Sequence, residues 1–339
     1  MLIDLRSDTV TRPTDEMREA MHSTKVGDDV FGEDPAINNL EALGSSMFGM
    51  ESAVFCPSGT MTNQIAIKCH TQPGDEVICD EMSHVYQYEG GGIAFNSGAS
   101  VKLLHGDRGR VTAQLVAEGI QPDDVHRPVS RLVVLENTAN RGGGSCYDLA
   151  TIQEIGQLCN QRGLSFHLDG ARLFNALIAT GQSAHDYGST FDSISICLSK
   201  GLGAPVGSLL LGKKDFIKKA RRFRKVFGGG MRQAGSLAAA GTFALQHNVI
   251  RLQEDHNNAK AIEKMLSQLS YIKGIMPVET NIVIAECVDG FDVQHFIQKM
   301  KEQNILFFAI SPTRFRMVTH LDFKTEMLDS LEKSLKTIH

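Results

Sequence analysis

Three segments place residues capable of chemistry directly after a strand-like run. Asp169 follows the apolar strand of FHLDGAR, Ser199 and Lys200 follow that of ISICLSK, and Pro57–Thr60 opens a helix after a third strand. In open α/β sheets, ligands bind at the carboxyl ends of the strands. We therefore expect the three segments to form one site.

These residue types suit pyridoxal phosphate (PLP). A lysine such as Lys200 can lose its proton and form a Schiff base with the aldehyde of the cofactor. A carboxylate such as Asp169 can pair with the pyridine nitrogen, and the N–H groups of Gly59 and Thr60 can bind phosphate at a helix N-terminus. Taken singly, each feature has a plain structural explanation: a solvated lysine, a helix cap or a simple turn. Taken together at strand ends, they favour a PLP enzyme.

Other cofactors fit the sequence less well. The glycines of GLGAPVG lack the spacing of a dinucleotide fingerprint, and they precede a strand instead of leading from a strand into a helix. The twelve histidines include no HExxH motif, and the seven cysteines include no CxxC pair. We expect reduced thiols packed as small apolar side chains, and no catalytic metal.

Strand and helix patterns alternate through the first two thirds of the chain, which predicts a largely parallel sheet with helices on both faces. The last two predicted strands are separated only by Lys200–Pro205, too short for a crossover helix, so we expect them to be antiparallel. The predicted fold is α/β, with a mixed, mostly parallel seven-stranded sheet. Its strands are Ala53–Cys56, Glu76–Cys79, Val101–Leu104, Arg131–Leu135, Ser165–Leu168, Ser193–Leu198 and Val206–Leu211.

The pattern divides the chain into three parts. We expect an extended N-terminal arm over 1–14, a large cofactor-binding domain over 15–250 and a smaller α+β domain over 251–339. The small domain begins with a long predicted helix, Arg251–Leu269, and contains predicted strands at Asn281–Cys287 and Arg314–Thr319.

Composition narrows the possible partners. The net charge of −5 gives no general attraction to nucleic acid, and no apolar run approaches the roughly 20 residues that span a bilayer. The basic segment Lys213–Lys225 is more typical of a solvated helix face than of a nucleic-acid site. Because the first residues lack the pattern of a signal peptide, we expect a cytoplasmic protein.

The chain resembles the L-threonine aldolases, PLP enzymes of the aspartate aminotransferase fold (fold type I). The resemblance rests on phrases spread from Leu5 to Asp322, among them LRSDTVTRPT, VGDDVFGEDP, PSGTMTNQIA, SHVYQYEGGG, FHLDGARLFNA, CLSKGLGAPVGSLLLG, RKVFGGGMRQAG and VTHLD. It implies a low-specificity enzyme that cleaves L-threonine or L-allo-threonine to glycine and acetaldehyde. Among PLP enzymes, the alternative is a β-eliminating lyase or racemase of the same fold. Among proteins that are not enzymes, the alternative is a catalytically silent PLP-binding protein.

The resemblance also implies roles for individual residues. Lys200 carries the cofactor, His84 stacks on its ring, and the base is His84, His126 or a water between them. The other implied cofactor contacts are Ser58, Gly59, Thr60, Asp169, Arg172, Ser199, Lys225 and Arg232. The implied substrate contacts are Ser7, Phe31, Tyr88, Arg172 and Arg316, with Arg314 as the alternative to Arg316.

The resemblance further implies a homotetramer, arranged as a dimer of dimers, in which subunits share active sites. Arg232, at the end of RKVFGGGMRQ, is expected to reach the site of a neighbouring subunit, and Tyr88 to cross the same interface. Two positions depart from the family pattern. Phe31 stands where tyrosine is common, and Ala139 stands where the phrase LENTHN has histidine, so we expect weak discrimination between configurations at the substrate Cβ.

Overall fold

The computed structural model describes residues 2–337. Met1 of the expected arm and the last two residues, 338–339, of the expected small domain lie outside these residues. The described chain begins with the short strand β1 (Ile3–Asp4), followed by a 3-10 turn at Asp8–Val10. No helix of the described residues is both long and apolar enough to cross a membrane.

A seven-stranded sheet forms the centre of the molecule. In spatial order its strands are β2, β8, β7, β6, β5, β3 and β4, and β8 is antiparallel to both of its neighbours while all other pairs are parallel. The strands are β2 (Ser52–Cys56), β3 (Asp75–Asp80), β4 (Ser100–Leu104), β5 (Val129–Glu136), β6 (Ser165–Gly170), β7 (Ser193–Cys197) and β8 (Ser208–Gly212). The predicted mixed seven-stranded sheet, including its antiparallel last pair, is confirmed.

Helices cover both faces of this sheet, because its central strands are apolar on both sides. The larger core packs helices such as α2, α6, α7 and α10 against one face, and a smaller core packs α3 and α9 against β2 and β8 on the other. The helices are α1 (Asp15–Ser23), α2 (Pro35–Met47), α3 (Gly59–His70), α4 (His84–Gln87), α5 (Ala113–Gly119), α6 (Leu149–Arg162), α7 (Leu173–Thr180), α8 (Ala184–Thr190), α9 (Lys214–Val226) and α10 (Gly235–Phe243). All seven cysteines are buried and unpaired.

The C-terminal part has its own apolar core and a four-stranded sheet in the order β12, β13, β10, β9. Its elements are α11 (Leu252–Leu266), β9 (Ile272–Ile275), β10 (Ile282–Cys287), α12 (Val293–Glu302), β11 (Ile305–Leu306), β12 (Phe308–Ala309), β13 (Arg314–Val318) and α13 (Leu328–Lys336). The division into parts 1–14, 15–250 and 251–339 stays a prediction.

The N-terminal arm is fixed to this C-terminal part. β1 pairs in parallel with β11, and the backbone N–H of Val318 donates to the carbonyl of Leu5 at 2.9 Å. Ile3 and Leu5 are almost fully buried in the C-terminal core. Further along the arm, buried Asp8 contacts both parts of the chain, through Arg172 and Asn281.

Candidate active site

Chemically active side chains converge at one edge of the large sheet. Because only β8 is reversed, the other six strands have their carboxyl ends on the same side. Glu136 and Asp169 lie at the ends of β5 and β6, whereas Ser58, His84 and Lys200 follow the ends of β2, β3 and β7 within four residues. The three segments that the sequence predicts to form one site therefore lie at the same edge.

Lys200 lies just beyond β7, and its Nζ is 3.2 Å from the Sγ of Cys197. Burial alone would lower the pKa of the Lys200 ammonium, but Cys197 together with Asp8 and Asp169 outweighs burial and Arg172, and raises it. Cys197, Asp8 and Asp169 together therefore favour positive charge on this nitrogen.

Asp169 is 1% exposed and uses both oxygens as acceptors. Its Oδ1 accepts from the backbone N–H of Ala171 at 3.1 Å, and its Oδ2 accepts from Nδ2 of Asn63 at 2.9 Å. A carboxylate oxygen has two lone pairs, so each still has room for another donor. Capping of the following turn and pairing with a ring nitrogen are compatible at this position.

The N-terminus of α3 offers a phosphate site. Ser58 caps the helix, because its Oγ accepts from the N–H of Met61 at 3.2 Å. Gly59 and Thr60 are in the first turn, where backbone N–H groups have no acceptor within the helix, and Thr60 is exposed. A Cβ on Gly59 would lie 2.5 Å from the Sγ of Cys197, so only glycine lets α3 approach β7 this closely. Ser199, half-buried, precedes Lys200 at the neighbouring strand end.

His84 begins α4 and is held by two buried carboxylates. Its Nδ1 is 2.9 Å from Oε1 of Glu89, and its backbone N–H donates to Oε2 of Glu136 at 2.8 Å. The Tyr88 ring lies beside it, with 5.7 Å between the ring centroids. Burial would lower the pKa of the His84 imidazole, but Glu89, Asp169 and Glu136 outweigh burial and raise it.

Arg172 is committed to the N-terminal arm. Its Nε and Nη2 each donate to one oxygen of Asp8 at 2.7 Å, and both side chains are buried. Only Nη1 points elsewhere, to Oδ1 of Asn140 at 3.5 Å. Contact of Arg172 with a substrate carboxylate is therefore limited to the one nitrogen that Asp8 does not take.

Arg316 has more free donor capacity. Its Nη1 donates to Oδ1 of Asn140 at 2.9 Å, and its Nε is buried without a hydrogen-bond partner among the described residues. Burial, with Arg172 nearby, lowers the pKa of Arg316 to about 10, as expected for a cation that lacks an anion. Arg314 instead forms an ion pair with Glu286 at 2.6 Å. Of the two arginines, the geometry favours Arg316 as the carboxylate ligand.

Ser7 lies next to Asp8 on the arm. Its Oγ accepts from the N–H of Thr9 at 3.2 Å and is 2.8 Å from the Thr9 hydroxyl oxygen. Pairing of β1 with β11 holds this turn in place, so the position of Ser7 depends on the C-terminal part.

Four of the predicted residues do not join this group within one chain. Phe31, which is 74% exposed, and Lys225 line a separate cavity. Arg232 lies beside Phe31, with its guanidinium 6.0 Å from the ring centroid, and pairs with Asp28 at 3.0 Å. Exposed His126 pairs with Asp124 at 2.8 Å and precedes β5. The eight residues of that strand, roughly 25 Å long, separate it from the active edge.

Several residues of the site were not predicted from the sequence. They are Asp8, Asn63, Glu89, Glu136 and Asn140, all connected to the predicted residues by hydrogen bonds. Glu136 is buried, and burial together with Asp169 raises its pKa to about 7. Each lies in or near a phrase that carries the family resemblance, but its partners are distant in sequence.

His84, Glu89 and Asp169 have polar atoms within 4.8 Å of one another. The amide group of Asn63 donates to both carboxylates, each at 2.9 Å, and fills the space between them. We therefore assign this group to hydrogen bonding and not to metal binding.

Comparison with known proteins places the chain in a family. The chain matches the family described as Beta-eliminating lyase over residues 4–289. It is 43% identical to the low specificity L-threonine aldolase of Escherichia coli strain K12 over 328 residues, which cover 96% of both proteins. Among solved structures, a threonine aldolase of Leishmania major covers 99% of both chains with a TM-score of 0.88 at 20% identity. A serine palmitoyltransferase with PLP as an internal aldimine covers 99% of this chain and 87% of its own, with a TM-score of 0.77 at 16% identity.

Proposed function

The chain belongs to the beta-eliminating lyase family, and on this basis we propose that it is a low-specificity L-threonine aldolase. It uses PLP to cleave L-threonine and L-allo-threonine to glycine and acetaldehyde. The observation that carries the proposal is the meeting of Lys200, Asp169 and the N-terminus of α3 at one sheet edge. Full-length similarity to an aldolase of that name supports it.

The donor set fits the cofactor. When bound, PLP supplies a conjugated ring that accepts the electrons of a bond broken at the substrate Cα. Lys200 would bind its aldehyde carbon, and the carboxylate of Asp169 would hold a proton on the pyridine nitrogen. Gly59, Thr60 and Ser199 would bind its phosphate, and the ring of His84 would lie against its face.

Arg316 binds the substrate carboxylate. Its buried Nε lacks an acceptor, which a bidentate carboxylate would provide. Ser7, on the arm, and Nη1 of Arg172 complete this subsite. A carboxylate fixed in this way would set the orientation of the bonds at the substrate Cα and so favour cleavage of Cα–Cβ over Cα–H.

The base that takes the β-hydroxyl proton is His84. Its Nδ1 faces Glu89, and its Nε2 has no protein hydrogen-bond partner within residues 2–337. An imidazole also titrates near working pH. His126 remains a candidate only if another subunit brings it to the site, because its own chain holds it at the opposite sheet edge.

The active enzyme is a homotetramer with shared sites, located in the cytoplasm. Phe31 and Lys225 line a separate cavity and Arg232 pairs with Asp28, so none of the three contacts the other site residues of its own chain. Phe31, Tyr88 and Phe95 expose aromatic surface. Exposed aromatic rings are typical of protein interfaces. In the tetramer, Arg232 reaches the phosphate bound by a neighbouring subunit.

Incubation of the purified PLP-loaded protein with L-threonine, L-allo-threonine and L-serine tests the proposed reaction. We expect each of the two threonine isomers to yield glycine and acetaldehyde in equal amounts. A β-eliminating lyase would instead release ammonia and a 2-oxo acid, and a silent PLP-binding protein would release nothing.

A further inference from the structure

A buried carboxylate, Glu89, lies behind His84 and accepts three side-chain hydrogen bonds. His84 Nδ1 lies 2.9 Å and Asn63 Nδ2 also 2.9 Å from its Oε1, and Gln64 Nε2 lies 2.6 Å from its Oε2. The side chain of Glu89 is fully inaccessible to solvent. A buried carboxylate needs such donors to compensate for the loss of water.

The hydrogen-bond directions in this group follow from chemistry. Nδ2 of Asn63 must face the carboxylates of Glu89 and Asp169, since its oxygen there would meet two anions. Oδ1 of Asn63 then accepts from Nε2 of His167 at 3.2 Å. Burial lowers the pKa of His167 to about 3, so this histidine is neutral. With its proton on Nε2, its Nδ1 accepts from the hydroxyl of Ser193 at 2.8 Å.

We propose that Glu89 is a positioning residue that holds His84 with its proton on Nδ1 and leaves Nε2 as the acceptor for the substrate proton. Asn63 ties the Glu89–His84 pair to Asp169, so one amide group sets the geometry of both the base and the carboxylate that faces the cofactor ring. The catalytic use of Nε2 rests on the proposed function, whereas the tautomer and its dependence on Glu89 do not.

The charges that face His84 come from three elements. Glu89 follows α4, Asp169 ends β6 and Glu136 ends β5, and all three carboxylates favour the imidazolium. Glu89 alone bonds to a ring nitrogen, whereas Glu136 bonds to the backbone N–H. The Tyr88 ring lies beside the imidazole, with 5.7 Å between the ring centroids. Removal of the Glu89 charge therefore has a larger effect on His84 than removal of the Glu136 charge.

The test is histidine NMR on the PLP-loaded protein, with His84 assigned from the spectrum of His84→Gln. In the wild type, the ¹⁵N shifts of the neutral ring are expected to place the proton on Nδ1. A proton on Nε2 would overturn the proposal without the need for any variant at Glu89.

Titration of two matched variants measures the contribution of each carboxylate. Glu89→Gln is expected to weaken proton binding by His84 at least tenfold, and Glu136→Gln less than threefold. A change below threefold in folded Glu89→Gln, or equal changes in both variants, would contradict the proposal. Circular dichroism and the PLP absorbance band establish that each variant is folded and loaded.

Kinetics then separate positioning from a purely structural role. The acid limb of kcat/KM for threonine is expected to move to lower pH in Glu89→Gln, in step with the pKa of His84. In a His84→Gln background, where that base is absent, Glu89→Gln should lower the residual kcat/KM no further, and a further loss would count against a role through His84. If the NMR result holds but threonine is not cleaved, the proposed function fails and the positioning role stands.

Discussion

The buried ion pair between Asp8 and Arg172 gives a quantitative prediction. Burial alone would raise the pKa of the Asp8 carboxyl, but Arg172, with Lys200 and Asn281, lowers it from 3.8 to about 2. At ~1.4 kcal/mol for each tenfold change in proton affinity, this corresponds to about 2.5 kcal/mol of stability at neutral pH. Asp8→Asn also leaves a buried guanidinium without its anion, for which losses of about 3–5 kcal/mol are typical. We expect Asp8→Asn to lower the free energy of unfolding by about 3 kcal/mol.

Urea unfolding followed by circular dichroism, at a fixed PLP concentration, measures this loss. Asp15→Asn is the matched control, because Asp15 pairs with Arg18 at the surface, where both side chains are mostly exposed, and such pairs contribute at most about 1 kcal/mol. The double variant Asp8→Asn with Arg172→Gln should lose less than the sum of the single variants, by about 2 kcal/mol. A loss below 1 kcal/mol in Asp8→Asn, or simple additivity, would refute the reasoning.

The same pair predicts a pH dependence of stability. Because the folded-state pKa of Asp8 is lower than its unfolded value, the contribution is fully present above about pH 4 and is lost as pH falls towards 2. The difference in unfolding free energy between wild type and Asp8→Asn should shrink over that interval. A difference that stays constant from pH 5 to pH 2 would contradict this assignment.

Three further predictions concern the cofactor and the subunit arrangement. Lys200→Ala should lower threonine cleavage roughly a thousandfold or more while the fold persists, since the covalent attachment is lost, whereas Lys213→Ala on the surface should not. Near-wild-type turnover by Lys200→Ala would show that Lys200 does not carry the cofactor. Asp169→Asn should weaken PLP binding and turnover together, because an amide cannot hold the proton on the pyridine nitrogen. Unchanged activity at saturating PLP would show that Asp169 only caps the following turn. Mixing Lys200→Ala with Arg232→Ala subunits should restore activity, since some hybrids contain one complete shared site, and verified exchange without recovery would place Arg232 in the site of its own chain.

The sequence was sufficient to predict the large sheet because its strands are long apolar runs. The predicted strand Ser165–Leu168 lies within β6, and the short connection after β7 gave the correct antiparallel pairing with β8. The two-residue strands β1 and β11 have no detectable periodicity, so the anchoring of the arm was not predicted. Helix α10, GSLAAAGTF, was also missed, because its small residues form no apolar stripe.

Part of the site was predictable because its residues directly follow the strands of this sheet. Lys200, Asp169 and the start of α3 follow strands, so the rule for strand ends was enough to bring them together. The pairing of Asp8 with Arg172 joins residues 164 positions apart, and neither residue type nor local spacing indicates it. Glu89 is an acidic residue in a glycine-rich phrase, so the sequence suggests that its side chain is exposed to solvent. In the folded chain it is buried against His84 and Asn63. Long-range contacts of this kind depend on packing, which single-sequence patterns do not contain.

Carbon-13 NMR of the PLP-loaded protein with uniformly ¹³C-labelled L-threonine tests the central claim most directly. Cleavage between Cα and Cβ predicts two two-carbon products in equal amounts, glycine and acetaldehyde, each with a single ¹³C–¹³C coupling. We expect L-allo-threonine to give the same products at a comparable rate, since Ala139 stands where the family phrase has a histidine that could distinguish the hydroxyl positions. A four-carbon 2-oxo acid with release of ammonia, or unchanged threonine in a protein with intact PLP absorbance, would contradict the assignment.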